Sequence, residues 1–298
     1  LASTLMALAT LWVAGRVLML TPFGLAAAIV NAGFPVAIGI AIGIPIVRSR
    51  NRRNTFFIAL LVLLGLAVLA FHLSHLGLLP WPQRAGLQVG LDIVLFILAV
   101  MGGRVIPMFT SNGIPGVQAT RHPWVEKLAL GGVLALLVAD VVSAPSAVIA
   151  VLALLVAGLH AVRLYRWQPW RTFGAPLVWV LHLAYGWIVV HLLLRSLAAL
   201  GLASELLAVH ALTIGAIGGM TIGMMTRTAR GHTGRVLRAD GYETACYVLV
   251  ALAAATRVLV GLALPGHYPL TVIVSGLMWS AAFALYAVRY WPVLSRPR

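Results

Sequence analysis

The chain has 298 residues, 62% of them hydrophobic and 9% charged, with a formal net charge of +15. A soluble domain keeps roughly a quarter of its positions charged, so the composition excludes one. It points instead to an all-α, polytopic transmembrane helix bundle of about ten helices. A nucleic-acid patch is excluded too, because the arginines cluster in short loops between apolar stretches.

A hydrocarbon core about 30 Å thick takes about 20 apolar residues in a helix. In chain order the predicted spans are Leu5–Leu20, Phe23–Val47, Phe56–Leu79, Leu87–Met108, Val125–Val142, Ala147–Tyr165, Ala175–Ser196, Ala203–Met225, Tyr242–Leu264 and Leu270–Trp291. Thr21-Pro22, Leu79-Pro80-Trp81-Pro82, Ser143-Ala144-Pro145 and Leu264-Pro265-Gly266 punctuate them. No cleavable signal precedes the opening apolar stretch, Leu1 to Leu20. With no initiator Met, the chain reads as a truncated or processed piece. No linker is long enough to divide it, so residues 1–298 are expected to form a single transmembrane domain. The single cysteine, Cys246, excludes an internal disulfide.

Every second loop is positive. One set carries Arg48, Arg50, Arg52 and Arg53, then Arg121 and Lys127, then Arg166 and Arg171, then Arg227, Arg230, Arg235 and Arg238, and finally Arg296 and Arg298. The alternating loops hold only Arg84 and Arg195. Basic loops stay on the cytoplasmic side, so both ends of the chain are expected there, in a bacterial inner membrane. Gly215, Gly219 and Gly223 repeat every four residues along the eighth span, and Gly39 and Gly43 do so along the second. Such stripes serve close helix packing or a flat cofactor resting on the face.

Ionisable residues at membrane depth are costly and usually functional, and His is a frequent ligand of haem iron and copper. Nine histidines occur. His182 and His210 sit in apolar runs with no polar neighbour, open to ligand, proton-relay or hydrogen-bonded structural roles. His160 lies near the cytoplasmic end of the sixth span. His72 and His75 are three apart and share a face, a weak chelating pair or interfacial residues. His191 reads as a snorkelling side chain near a helix end, and His122 and His267 as loop residues. Nine residues at about 100° each put His182 and His191 on opposite sides of one helix, so they cannot ligate one metal. Asp92, Asp140, Arg16, Arg195 and Arg257 fall at external depth, where they can bind propionates, conduct protons or form ion pairs. Met220, Met224 and Met225 suit copper(I) or serve as filler. No Walker loop, dinucleotide fingerprint or Cys-x-x-Cys-His occurs.

Four strings carry a resemblance. They are Gly102-Gly103-Arg104-Val105-Ile106-Pro107-Met108-Phe109-Thr110; Arg166-Trp167-Gln168-Pro169-Trp170-Arg171, with Pro176 through Tyr185; His210 through Gly218, continuing to Met225-Thr226-Arg227 and Gly231-His232-Thr233-Gly234-Arg235; and Arg289-Tyr290-Trp291-Pro292. With them, essentially the whole chain resembles the NnrS family of bacterial inner-membrane proteins linked to nitric oxide and denitrification. The resemblance implies non-covalent b-type haem and copper as cofactors, and twelve spans, of which this chain would lack the first two and a His-rich segment. It also implies nitric oxide or a related small nitrogen oxide as ligand. It supplies no ligand assignment, but His182, His210 and His232 stand within matching strings. His232 serves a metal in its loop or caps the following helix.

The expectation is therefore a membrane haem and copper protein protecting against nitric oxide. His182 or His210 would be the axial ligand, and Arg16 and Arg257 would contact propionates. His232, His160, His72 and His75 are further metal candidates. One haem bridging His182 and His210 would need a tilted arrangement, and two separate sites are equally open. No electron entry point marks it as an enzyme. The alternatives are a metal-free transporter or permease, and a non-catalytic sensor or assembly factor with an unknown protein partner.

Overall fold

The structure is a computed structural model and describes residues 2–295; the Arg296 and Arg298 tail lies outside them. Among the described residues there are ten helical rods and no strand. They are α1 (Ala2–Leu18), α2 (Gly24–Arg48), α3 (Phe56–His75), α4 (Gln83–Gly113), α5 (Pro123–Val141), α6 (Ser146–Arg166), α7 (Pro176–Ala199), α8 (Glu205–His232), α9 (Gly241–Ala263) and α10 (Tyr268–Ser295). Eight of them are long and apolar enough to cross a membrane. The other two are the shorter α1 and α5, which carries Glu126, Lys127 and Asp140.

All ten predicted spans correspond to a rod, but two rods run well past their predicted ends. α4 begins at Gln83 and continues through Pro107 to Gly113. α8 continues through Arg227 and Arg230 to His232, so these three are helical residues and not loop residues. The reason is general: hydropathy stops at the first charges, whereas backbone hydrogen bonding does not.

The surface shows why these residues make membrane helices. On α6, Val148, Val151 and Leu155 are exposed while Ala150, Ala153, Val156, Ala157, His160 and Arg163 are buried. Large side chains face outward and small or polar ones inward, the reverse of a soluble helix and the arrangement lipid requires.

The chain divides into two compact units. Unit 1 takes the residues up to Ile97 together with Leu134–Ala144. Within it, Gly39 and Gly43 of α2 let α3 approach, since a Cβ on either would meet Leu61 or Ile58. Leu60, Ala67, Val89 and Ile93 form its core, with Phe96 and Leu137 packed against them. Asn31 is buried in α2; its Nδ2 donates to the carbonyls of Ala27 at 2.8 Å and Gly15 at 3.3 Å, and its Oδ1 accepts from Arg16.

Unit 2 takes Leu98–Val133 and the residues from Pro145 onward. Its centre is α7, and α8 lies against it through the predicted glycine stripe. A Cβ at Gly215 would fall 2.3 Å from Trp187, at Gly219 2.8 Å from Ala184, and at Gly223 2.9 Å from Val180. The stripe is filled by a neighbouring helix, so of its two readings the close-packing one holds. Inside α8, Ala211–Gly218 is π-helical, and in α9 so is Thr256–Val260.

Candidate functional site

Three of the four strings, far apart in sequence, meet on α7 in unit 2. Gly102 and Gly103 of α4 are the first point of contact. A Cβ at Gly102 would sit 3.0 Å from the Tyr185 ring, and at Gly103 only 1.9 Å from Nη2 of Arg163. The two glycines admit the Arg163 guanidinium against the α4 backbone, where Nη1 and Nη2 both donate to the Ala99 carbonyl at 3.2 Å. Arg163 is fully paired. Its Nη2 lies 2.7 Å from Glu126 Oε2, its Nε donates to Oε1 at 3.1 Å, and Nη1 donates to the Tyr185 hydroxyl at 2.5 Å. Tyr185 in turn donates to Nδ1 of His160 at 2.7 Å, because its oxygen already accepts from Arg163. The acceptor nitrogen of His160 is thereby occupied. The buried Trp167 stacks edge-on to Tyr185 at 4.6 Å.

Thr110, closing the first string, reaches His182 in the second. Its hydroxyl donates to the Ile106 carbonyl at 2.8 Å and lies 2.8 Å from Nε2 of His182. With that proton committed, the oxygen accepts from Nε2–H, and the ring keeps its lone pair on Nδ1. That Nδ1 is buried and has no hydrogen-bond partner. A buried polar atom without a partner costs about 1–3 kcal/mol, so its persistence marks it. His182 also lines a pocket of about 440 Å³ whose other walls include Phe173, Trp179, Leu183, Trp187 and Leu259. The third string adds Arg227, whose guanidinium lies 3.6 Å from the Phe109 ring centroid.

The remaining candidates are dispersed. His210, the residue before the π-helical stretch, lies 3.1 Å through Nε2 from the Tyr268 hydroxyl. Arg257, within the second π-helical stretch, donates to Ser275 Oγ at 3.4 Å. Neither lines the His182 pocket. His232 is an exposed residue at the end of α8. In unit 1, His72 is buried against the edge of Phe71, while His75 is exposed and 3.3 Å from Gln83 Nε2. Arg16 is exposed and bonded to Asn31. Among the described residues no three His, Cys, Asp or Glu side chains converge on a point.

Sequence reasoning passed over Arg163 and Glu126, and it misread His191. That ring does not snorkel; it is buried on α7, and Nδ1 donates to the Ala208 carbonyl at 2.8 Å. A second ionic group joins α8, α9 and α10. Arg230 pairs with the buried Glu243 at 2.7 Å, Arg289 with Asp240 at 2.7 Å, and Tyr290 donates to Glu243 at 2.7 Å. Asp240 caps α9 reciprocally with Glu243. The Glu243 side chain, the N–H groups of Glu243 and Tyr242, and Arg289 hold the Asp240 carboxyl well below the usual carboxylate range, against the opposing effect of burial.

Ten helical rods with paired and unpaired charges inside them define a multi-pass α-helical membrane protein. The chain belongs to the NnrS family: it matches the family described as NnrS protein over residues 2–298. At family level this makes it a nitric-oxide-related membrane protein. No curated protein and no solved structure matches it.

Proposed function

We propose that the protein binds b-type haem in the bacterial inner membrane and acts in the response to nitric oxide, with His182 as the residue that would hold the iron. The single observation behind this reading is the lone-pair nitrogen of His182, left without a partner on a ring that helps wall a largely apolar pocket. The donor set suits haem. A non-covalent haem needs apolar walls and one or two axial ligands, and Trp179, Trp187, Phe173 and Leu183 provide walls of that kind around one imidazole.

Copper is less well served. A closed copper site draws on several imidazole or sulfur donors, and among the described residues no three His, Cys, Asp or Glu side chains lie together. No step is therefore assigned to copper.

Haem held by His182 would supply an iron able to bind a small nitrogen oxide. The chain's own residues do the rest. Thr110 fixes the His182 tautomer by accepting from Nε2–H, which orients the ring and leaves the Nδ1 lone pair available. The apolar wall excludes water from the vicinity of that nitrogen. The basic residues of alternate loops favour a cytoplasmic placement of both chain ends.

The test is spectroscopic. The full chain, purified in detergent, should show a stoichiometric haem absorbance that shifts with nitric oxide. His182→Ala should lose most of that absorbance, and His210→Ala should keep it. A folded, colourless protein after haem supplementation would overturn the proposal and favour the transporter reading. Loss in His210→Ala alone would move the ligand to α8.

A further inference from the structure

A second polar group lies inside the spans of unit 2, and it shares no lining residue with the His182 pocket. Arg257 sits about two turns before the end of α9. Its Nε is buried with no partner, and its Nη1 makes only the 3.4 Å bond to Ser275. The guanidinium carbon lies 5.5 Å from the centroid of the Tyr268 ring, and the Tyr268 hydroxyl is 3.1 Å from Nε2 of His210. None of the ion pairs among the described residues includes Arg257.

Three further features adjoin this group of residues. Tyr268 opens α10, a helix of 28 residues with no acidic residue in its first turn, so the partial positive charge of that helix end adds to the guanidinium. Both helices that hold the group are widened beside it: α9 is π-helical at Thr256–Val260, and α8 from the residue after His210. Such widenings recur at functional sites. Tyr268 also lines a pocket of about 340 Å³ together with Leu202, Ser204, Leu207, Gly261 and Pro265.

A cation at membrane depth normally pairs with an anion of the protein. Here the protein offers a phenol, a serine hydroxyl and an aromatic face, each neutral. We infer that Arg257, together with Tyr268 and the first turn of α10, binds a small monovalent oxyanion from solution. The planar guanidinium matches a planar oxyanion edge to edge. The leucines and proline of the adjoining pocket disfavour dianions such as sulfate or phosphate, whose dehydration is costlier. His210 positions the phenol ring through its hydroxyl, which gives that histidine a task apart from metal ligation.

The probe is nitrate at millimolar concentration, where general salt effects are small, on the full chain in an uncharged detergent. At tenfold excess over its dissociation constant, nitrate should raise the melting temperature by about 3 °C, and millimolar sulfate should not. Arg257→Gln should abolish the rise, and Ser275→Ala should keep it. If Arg257→Gln fails to fold, Arg257→Lys serves, because losing the planar fork should weaken nitrate binding several-fold. Absence of a nitrate effect on the unsubstituted protein, an equal effect of sulfate, or an undiminished effect in the Arg257 variants would overturn the inference. Stabilisation by phosphatidylglycerol micelles but not by nitrate would assign the guanidinium to a lipid headgroup and overturn it equally. The haem measurement is independent, since His182→Ala leaves this site intact.

Discussion

Arg163 and Arg257 both carry a guanidinium into the spans of unit 2, and the protein surrounds them in opposite ways. Arg163 is 1% exposed, and it is met by both oxygens of Glu126, by the Ala99 carbonyl and by Tyr185. Even the backbone is shaped to it, through Gly103. Arg257 is less deeply buried, yet it has only neutral neighbours and one nitrogen with none. A charge whose every donor is used locks helices together. A charge left with spare donors is equipped to meet something that comes and goes.

The sharpest way to break this contrast is to make Arg163 resemble Arg257. Removing one partner of a buried ion pair costs about 3–5 kcal/mol, because the remaining charge is uncompensated. Glu126→Gln should therefore lower the detergent melting temperature steeply, whereas Glu126→Gln combined with Arg163→Met should recover much of the loss. A Glu126→Gln protein that melts normally would mean Arg163 is no lock.

Gly103→Ala is a smaller perturbation of the same lock. The new methyl would sit on Nη2 of Arg163, and overpacking of this kind costs about 1–3 kcal/mol. Its effect should disappear when Arg163 is already Met, a non-additivity that a double-mutant cycle measures.

The weakest effect belongs to the partly exposed Asp240 at the start of α9. Its folded-state carboxyl is held below its ordinary value of 3.8. Its contribution is thus present above about pH 4 and lost as the pH falls further, the sign expected for a depressed carboxylate. The melting-temperature gap between the unsubstituted protein and Asp240→Asn should be small at neutral pH and close progressively below pH 4. A gap that widened in acid would reverse the assignment of Asp240 as a charged partner of Arg289.

How far these features could be read in advance follows from the range of the signal. The spans and the glycine stripe are local patterns of composition and period four, so Gly215, Gly219 and Gly223 could be placed on one face before their neighbour on α7 was known. His182 stood out because nothing near it in sequence could satisfy it. Its tautomer could not be foreseen, since Thr110 lies 72 residues away. Arg163 and Glu126 drew no notice, because their pairing is made across helices and leaves no local trace. His191 looked like a residue near water for the same reason: the Ala208 carbonyl that holds it belongs to another helix. The π-helical stretches were invisible to any search at a fixed 100° per residue.

Those widened turns bear on how the chain tolerates changes in length. Through Ala211–Gly218 each amide reaches one residue further back than in an ordinary helix, so α8 carries the phase of a one-residue insertion. Deleting a single residue there would restore regular winding and leave the flanking turns in nearly their present phase, so Gly219 and Gly223 would stay against α7 and His210 toward Tyr268. The same deletion in a regular turn of α8 would rotate one flank by about 100° against the other. The widened stretch is thus the place in this helix where a residue can be lost without turning one contact away from another.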